Sequence, residues 1–275
     1  MDYSELTSQI FKKESFLCIG LDSDINKIPS FLLEHEDPIF EFNKQIIDST
    51  HDLAVAYKPN TAFYESNGSK GWLSLEKTVA HIKNNYPDIF LIADAKRGDI
   101  GNTSHEYAKA FFQTMNFDAI TVAPYMGSDS VKPFLSFKDK WVIILALTSN
   151  EGSNDFQLNT LSENNEFLFE KVISTARFWG DEKNTMFVVG ATKSDYLKEI
   201  RKIAPNHFLL IPGVGAQGGS LTEVAKNGIN NNCGLLVNSS REIIYSSQNR
   251  DFAIKARIKS REIKEEMKLI LKQLL

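Results

Sequence analysis

Ile89-Phe90-Leu91-Ile92-Ala93-Asp94-Ala95-Lys96-Arg97-Gly98-Asp99-Ile100 passes from an unbroken apolar run into two carboxylates and two cations. The run 89–93 reads as a buried strand. Side chains on a strand alternate, so Asp94 and Lys96 point the same way, and Asp99 falls in the following turn. An ammonium held between carboxylates keeps its proton, because each anion favours the charged form. Such a lysine is a poor Schiff-base amine and a suitable proton donor. Taken alone, D-x-K-x-x-D reads equally well as a salt-bridged strand end.

The same pattern, an apolar run closed by polar or Gly/Pro residues, recurs along the chain. Residues 16–21 end at Asp22, 53–57 at Lys58-Pro59-Asn60, and 117–123 at Pro124. Residues 141–147 end at Thr148-Ser149-Asn150, 186–189 at Gly190, 208–211 at Pro212-Gly213, and 234–237 at Asn238-Ser239-Ser240. Helix-length stretches lie between them, at 39–49, 73–85, 103–115, 166–179, 194–204 and 221–226. A last helix is expected over about 252–275, where Ile254, Ile258, Ile263, Met267, Ile270 and Leu274 repeat at helical spacing. Eight strands alternating with helices predict an α/β fold, a (β/α)8 barrel of typical length. No Gly/Ser/Pro-rich linker divides residues 1–275, so one domain is expected. The rival, a doubly wound open sheet, would carry G-x-G-x-x-G after its first strand, and this chain does not.

Barrel active sites lie at the C-terminal ends of the strands. Asp22 follows strand one, Lys58 follows two, and Asp94, Lys96 and Asp99 follow three, so five charges are expected on one side of one mouth. Charges drawn out of water cost free energy unless paired, so stability alone does not account for the cluster. Phosphate in such barrels often binds after strands seven and eight. Glycines 213, 215, 218 and 219 allow close backbone approach, and Gln217 adds an amide. Arg241 offers a planar fork, with Asn238, Ser239 and Ser240 as further donors. A flexible turn is the plain alternative for the glycine-rich loop.

The bulk properties narrow the partners. The 275 residues are 42% hydrophobic and 24% charged, enough for one large core, and the net charge of −4 argues against nucleic acid. No apolar window approaches a membrane span and residues 1–13 lack a signal-peptide pattern, so a cytoplasmic protein is expected. Cys18 and Cys233 read as buried reduced thiols. The five histidines show no H-x-x-x-H or Cys/His pairing, so no metal site is expected.

Asp94-Ala95-Lys96-Arg97-Gly98-Asp99-Ile100-Gly101-Asn102-Thr103 resembles the signature of the orotidine 5'-phosphate decarboxylase family. Tyr57-Lys58-Pro59-Asn60, Phe63-Tyr64-Glu65, Leu147-Thr148-Ser149-Asn150 and Pro212-Gly213-Val214-Gly215-Ala216-Gln217-Gly218-Gly219 resemble its longer bacterial branch. The resemblance covers about 16–245. It implies a carboxy-lyase that converts orotidine 5'-phosphate to UMP and CO2, the last step of UMP synthesis, with no metal and no organic cofactor. By the same resemblance Lys96 is the proton donor to C6 of the pyrimidine, and Asp94 faces the departing carboxylate. Lys58 holds Asp94 and a ribose hydroxyl, Asp22 binds ribose, and Ser149 contacts the pyrimidine. Gln217 and Arg241 grip the phosphate, with Gly218 and Ser240 beside them. Asp99 and Thr103 are donated across a homodimer interface into the neighbour's site. Shorter family members carry Gly-Arg where this chain has Ser240-Arg241, so the role of Arg241 rests on its place after strand eight. A fused phosphoribosyltransferase, as in eukaryotic proteins, is not expected.

Residues 150–165 form a long polar stretch after strand five, either a lid or a solvated excursion, with Phe156 and Leu158 expected to pack on something. His51, His81, His105 and His207 read as packing or surface residues. Two other functions compete. A barrel enzyme using a similar D-x-K-x-x-D array with Mg2+ on sugar phosphates would lose activity in chelator. A catalytically inactive nucleotide-phosphate binder would bind UMP without turnover.

Overall fold

A helix between two strands returns the chain to the end where the first strand began, so successive strands run parallel. The computed structural model describes residues 1–163, 165–215 and 218–275. Its strands are β1 (Leu17–Leu21), β2 (Ala56–Pro59), β3 (Phe90–Arg97), β4 (Ala119–Val122), β5 (Trp141–Leu147), β6 (Thr185–Val189), β7 (Phe208–Pro212) and β8 (Leu235–Ser239). They close in sequence order, and β8 returns to β1 through Leu17↔Val237 and Cys18↔Asn238. This is the single-domain (β/α)8 barrel that the alternation predicts. The helices are α1 (Tyr3–Lys13), α2 (Pro38–Thr50), α3 (Ala62–Glu65), α4 (Gly68–Asn85), α5 (Gly101–Lys109), α6 (Ser128–Leu135), α7 (Ser153–Phe156), α8 (Leu168–Ala176), α9 (Leu197–Ile203), α10 (Leu221–Gly228), α11 (Arg241–Ile244) and α12 (Phe252–Leu274). Among the described residues no helix is long and apolar enough to cross a membrane.

The departures from the expected boundaries have local causes. β2 starts late because the amides of Leu53 and Ala54 bond to Thr50 O and close α2. It then runs on through Lys58 and Pro59. β3 likewise continues past the apolar run to Arg97, but its register with β4 shifts between Ala93 and Arg97. Lys96, at φ 46°, lies in the left-handed region within that irregularity. The helix expected at 103–115 starts at Gly101, and a π-helical turn over Ala110–Thr114 ends it. The helix expected from 194 begins as a 3-10 turn, Ala191–Tyr196.

Helix α1 was not foreseen, although Asp2 and Glu5 form a capping box at its start. It covers the N-terminal end of the barrel. The Tyr3 ring lies 5.2 Å from Phe208 and stacks on Trp141, whose indole N–H donates to Met1 O at 3.0 Å. Helix α12 is an outer helix as expected, but its buried stripe is Phe252, Ala256, Ser260, Met267, Ile270 and Leu271. Ile254 and Ile258 face outward instead. Phe252 stacks on Phe42 of α2 at 5.3 Å, which sets the rotation of the helix.

Cys18 and Cys233 are free and buried, and burial pushes each thiol up to about 12, so neither is a nucleophile. His207 is buried with neither ring nitrogen hydrogen-bonded among the described residues, and burial pulls its imidazole down to about 4. The unfolded chain takes up a proton on His207 below about pH 6.5, whereas the folded chain refuses it until near 4. Stability is therefore expected to fall as pH drops through that window, by about 3 kcal/mol at most. Denaturant midpoints from pH 7.5 to 4.5 would show this slope in the wild type and a shallower one in His207→Leu. Equal slopes would contradict it.

Candidate active site

The C-terminal ends of β1, β2, β3, β7 and β8 enclose a cleft of about 170 Å³. Its lining includes Asp22, Lys58, Asn60, Asp94, Asn238, Ser240 and Arg241, with the start of the glycine-rich loop at Gly213 and Val214. Lys58 reaches it because β2 extends past its apolar run, in register with Gly20 of β1. Asp94 is buried and both its oxygens are engaged. Oδ2 accepts from Lys58 Nζ at 2.7 Å, and Oδ1 accepts from Lys96 Nζ at 2.6 Å and from Thr121 Oγ1 at 3.1 Å. Burial pushes the Asp94 carboxyl up, but the ammonium groups of Lys58 and Lys96 outweigh it and hold the group well below the usual range. For Lys58 burial pulls the pKa down, and the Asp94 and Asp22 carboxylates more than reverse that. Lys58 is therefore a permanent buried cation, while the Lys96 side chain is 50% exposed and can exchange protons with solvent.

Asp22 follows β1. Its Oδ2 lies 2.8 Å from Ser240 Oγ, which is also 3.1 Å from Gly20 O. This close approach requires Gly20, since a Cβ there would stand 2.7 Å from Ser240 Cβ. Asp22 lines the cleft, and its Oδ1 is buried with no hydrogen-bond partner among the described residues. Tyr245 fixes the loop, donating to Asp22 O at 2.7 Å and accepting from Asp24 N at 2.8 Å. Behind it, Tyr64 donates to Leu21 O, and Asn43 bridges Tyr64, Thr78 and Ser23.

The other expected residues divide. Asp99 does not reach Lys96 of its own chain, whose ion pair among the described residues is with Asp94. The reading of Lys96 between two carboxylates of one chain is thus corrected to one carboxylate. The turn at 98–100 and Gly101, at φ 52°, carry the chain outward, where Asp99 accepts the Ile100 N–H at 2.8 Å and Thr103 is exposed on α5. Ser149 follows β5 at the same end of the barrel, and its carbonyl accepts from Thr192 at 3.5 Å. Arg241 opens α11 at the cleft, its side chain exposed and without a hydrogen bond or ion pair among the described residues, while its carbonyl accepts from Tyr245 N at 3.2 Å. Gln217 lies outside the described residues.

The glycine loop differs from expectation. Gly215 N bonds to Gly219 O at 3.1 Å, Gly218 N to Gly215 O at 2.8 Å, and Gly219 N to Gly213 O at 3.2 Å. These amides are engaged within the loop instead of facing the cleft. Gly215, at φ 74°, lies in the left-handed region, where a residue with a Cβ is strained. In the stretch after β5, Leu158 packs on the core but Phe156 is 68% exposed, so that expectation holds for one residue of the two. Among the described residues no three His, Cys, Asp or Glu side chains converge as metal ligands. Thr121 and Tyr245 also bear on the site and carry no motif in the sequence. A lone hydroxyl in the apolar strand Ala119–Val122 was the available signal for Thr121.

The sequence profile of the orotidine 5'-phosphate decarboxylase / HUMPS family matches residues 15–256. A Flavobacterium johnsoniae protein named orotidine 5'-phosphate decarboxylase is 62% identical over 267 residues, which cover 97% of each chain. Leishmania donovani OMP decarboxylase superposes with a TM-score of 0.79 at 35% identity, over 96% of this chain and 99% of that one. Leishmania donovani UMP synthase superposes with a TM-score of 0.85 at 37% identity, over 98% of this chain and 56% of that longer one.

Proposed function

The chain belongs to the orotidine 5'-phosphate decarboxylase / HUMPS family, and from that premise we propose that it removes CO2 from orotidine 5'-phosphate to give UMP. The carrying observation is Asp94 clamped between the buried Lys58 and the half-exposed Lys96 at the mouth of the barrel. Breaking the bond between C6 and the carboxylate leaves an electron pair on a ring carbon. The Lys96 ammonium stabilises that charge, transfers its proton to C6, and is reprotonated from solvent. Asp94 faces the departing carboxylate, held there as an anion by Lys58, which also meets a ribose hydroxyl. Asp22 accepts from ribose, and Ser149 meets the pyrimidine. Arg241 and Gln217 take the phosphate, with Gly218 nearby, while Ser240 serves by orienting Asp22. No bound metal or organic cofactor enters this scheme.

The site is completed by a second copy. Asp99 and Thr103 do not line their own cleft; Ile100, next to Asp99 in the chain, is exposed, as are Met126, whose side chain lies near Gly98, and its neighbour Tyr125, 94% exposed. An apolar rim next to a displaced carboxylate suits a two-fold interface that places Asp99 near the partner's Lys96. The reading keeps the protein in the cytoplasm, in keeping with its free buried thiols.

Mixed variants test both parts. Lys96→Ala and Asp99→Ala proteins are each expected to be inactive. After subunit exchange in a one-to-one mixture, half the dimers hold one intact site of two, so turnover should return to about a quarter of wild type. UMP and CO2 would be quantified. A mixture as inactive as its components, beside an active wild type, would contradict the shared site. No UMP from wild type would contradict the function.

A further inference from the structure

Thr121 is a buried hydroxyl in a strand whose other residues are Ala119, Ile120 and Val122. It accepts the backbone N–H of Lys96 at 2.9 Å and donates to Asp94 Oδ1 at 3.1 Å. The Lys96 ammonium reaches that same oxygen at 2.6 Å. A closed ring results: Lys96 amide, Thr121 hydroxyl, Asp94 carboxylate, Lys96 ammonium. The ring sits where the register of β3 and β4 shifts between Ala93 and Arg97, and the Thr121 side chain takes up the Lys96 N–H there.

We propose that Thr121 is a positioning residue for the decarboxylation, fixing the plane of the Asp94 carboxylate and the left-handed backbone of Lys96 so that the ammonium is aimed at the reacting carbon. The inference rests on the function proposed above. Two physical points support it. The terminal torsion of a carboxylate is broad, so Asp94 needs contacts on both oxygens to hold one orientation. A residue with a Cβ disfavours the left-handed region, so the Lys96 backbone needs a specific partner to stay there. Catalysis is sensitive to such placement, since a 1 Å error costs about 10²-fold in rate.

The test compares Thr121→Val, which keeps shape and loses the hydroxyl, with Thr121→Ser, which keeps the hydroxyl. Thr121→Val is expected to lower kcat by about 10- to 100-fold while UMP affinity changes by less than about threefold. Thr121→Ser should recover kcat to within about threefold of wild type. Wild-type kcat in Thr121→Val overturns the proposal, as does an equal loss in both variants or a loss of UMP binding in Thr121→Val, each of which marks a packing role. The wild type in the same assay separates this from the reading beneath it: no wild-type turnover removes both, and normal turnover with an unaffected Thr121→Val removes this inference alone.

Discussion

Lys96→Ala is expected to lower kcat by at least about 10⁴-fold while UMP still binds, since the change removes both the proton donor and the charge that stabilises the carbanion. General acid catalysis contributes about 10²- to 10⁴-fold, and a preorganised charge at the developing anion is often the larger share. The fold should survive. Asp94 keeps Lys58 at 2.7 Å and Thr121 at 3.1 Å, so no buried charge is left without a partner. The Lys96 side chain is half exposed, so its loss changes stability little. Single-turnover rates and UMP titration on the same preparation check this. A kcat within about tenfold of wild type would remove Lys96 from the chemistry, and lost UMP binding would move its role to the ground state.

The second large effect concerns the far end of the substrate. Orotidine lacking its phosphate is expected to show kcat/KM lower by about 10⁴-fold or more, because charge-assisted contacts remote from the reacting carbon supply energy used in ordering the site. The Arg241 guanidinium is exposed at the cleft with no hydrogen bond or ion pair among the described residues, so it is available to a phosphate. The amides of Gly215, Gly218 and Gly219 are tied within their loop, which leaves the Arg241 side chain as the charged donor among the described residues of the cleft's phosphate end. Adding Arg241→Ala should reduce the difference between the two substrates. Equal kcat/KM for orotidine and its phosphate would sink this account.

Much of this was legible in the sequence. Strand periodicity and the polar residues closing each run gave the barrel, and the barrel rule placed Asp22, Lys58, Asp94 and Lys96 at one mouth. What the sequence hid was backbone irregularity and long-range hydrogen bonding. The register shift in β3 that turns Lys96 left-handed has no compositional mark, because neither Ala95 nor Lys96 is a residue that favours that region. The outward path of Asp99 follows from the turn before α5 and not from its spacing to Lys96. Thr121 and Tyr245 act on residues 25 and 223 positions away, a separation that no local pattern encodes. In α12 the spacing of isoleucines was helical, but which stripe turned inward was decided by Phe252 packing on Phe42.

Decarboxylation carried by the Lys96 and Asp94 side chains requires no metal ion. The most direct measurement is the ultraviolet absorbance of orotidine 5'-phosphate over time with purified protein in excess EDTA. Conversion to UMP at the rate seen without chelator is the predicted result. Turnover that EDTA abolishes and Mg2+ restores would contradict it and point to the metal-dependent sugar-phosphate chemistry of related barrels. No conversion by folded protein under either condition would leave a nucleotide-phosphate binder.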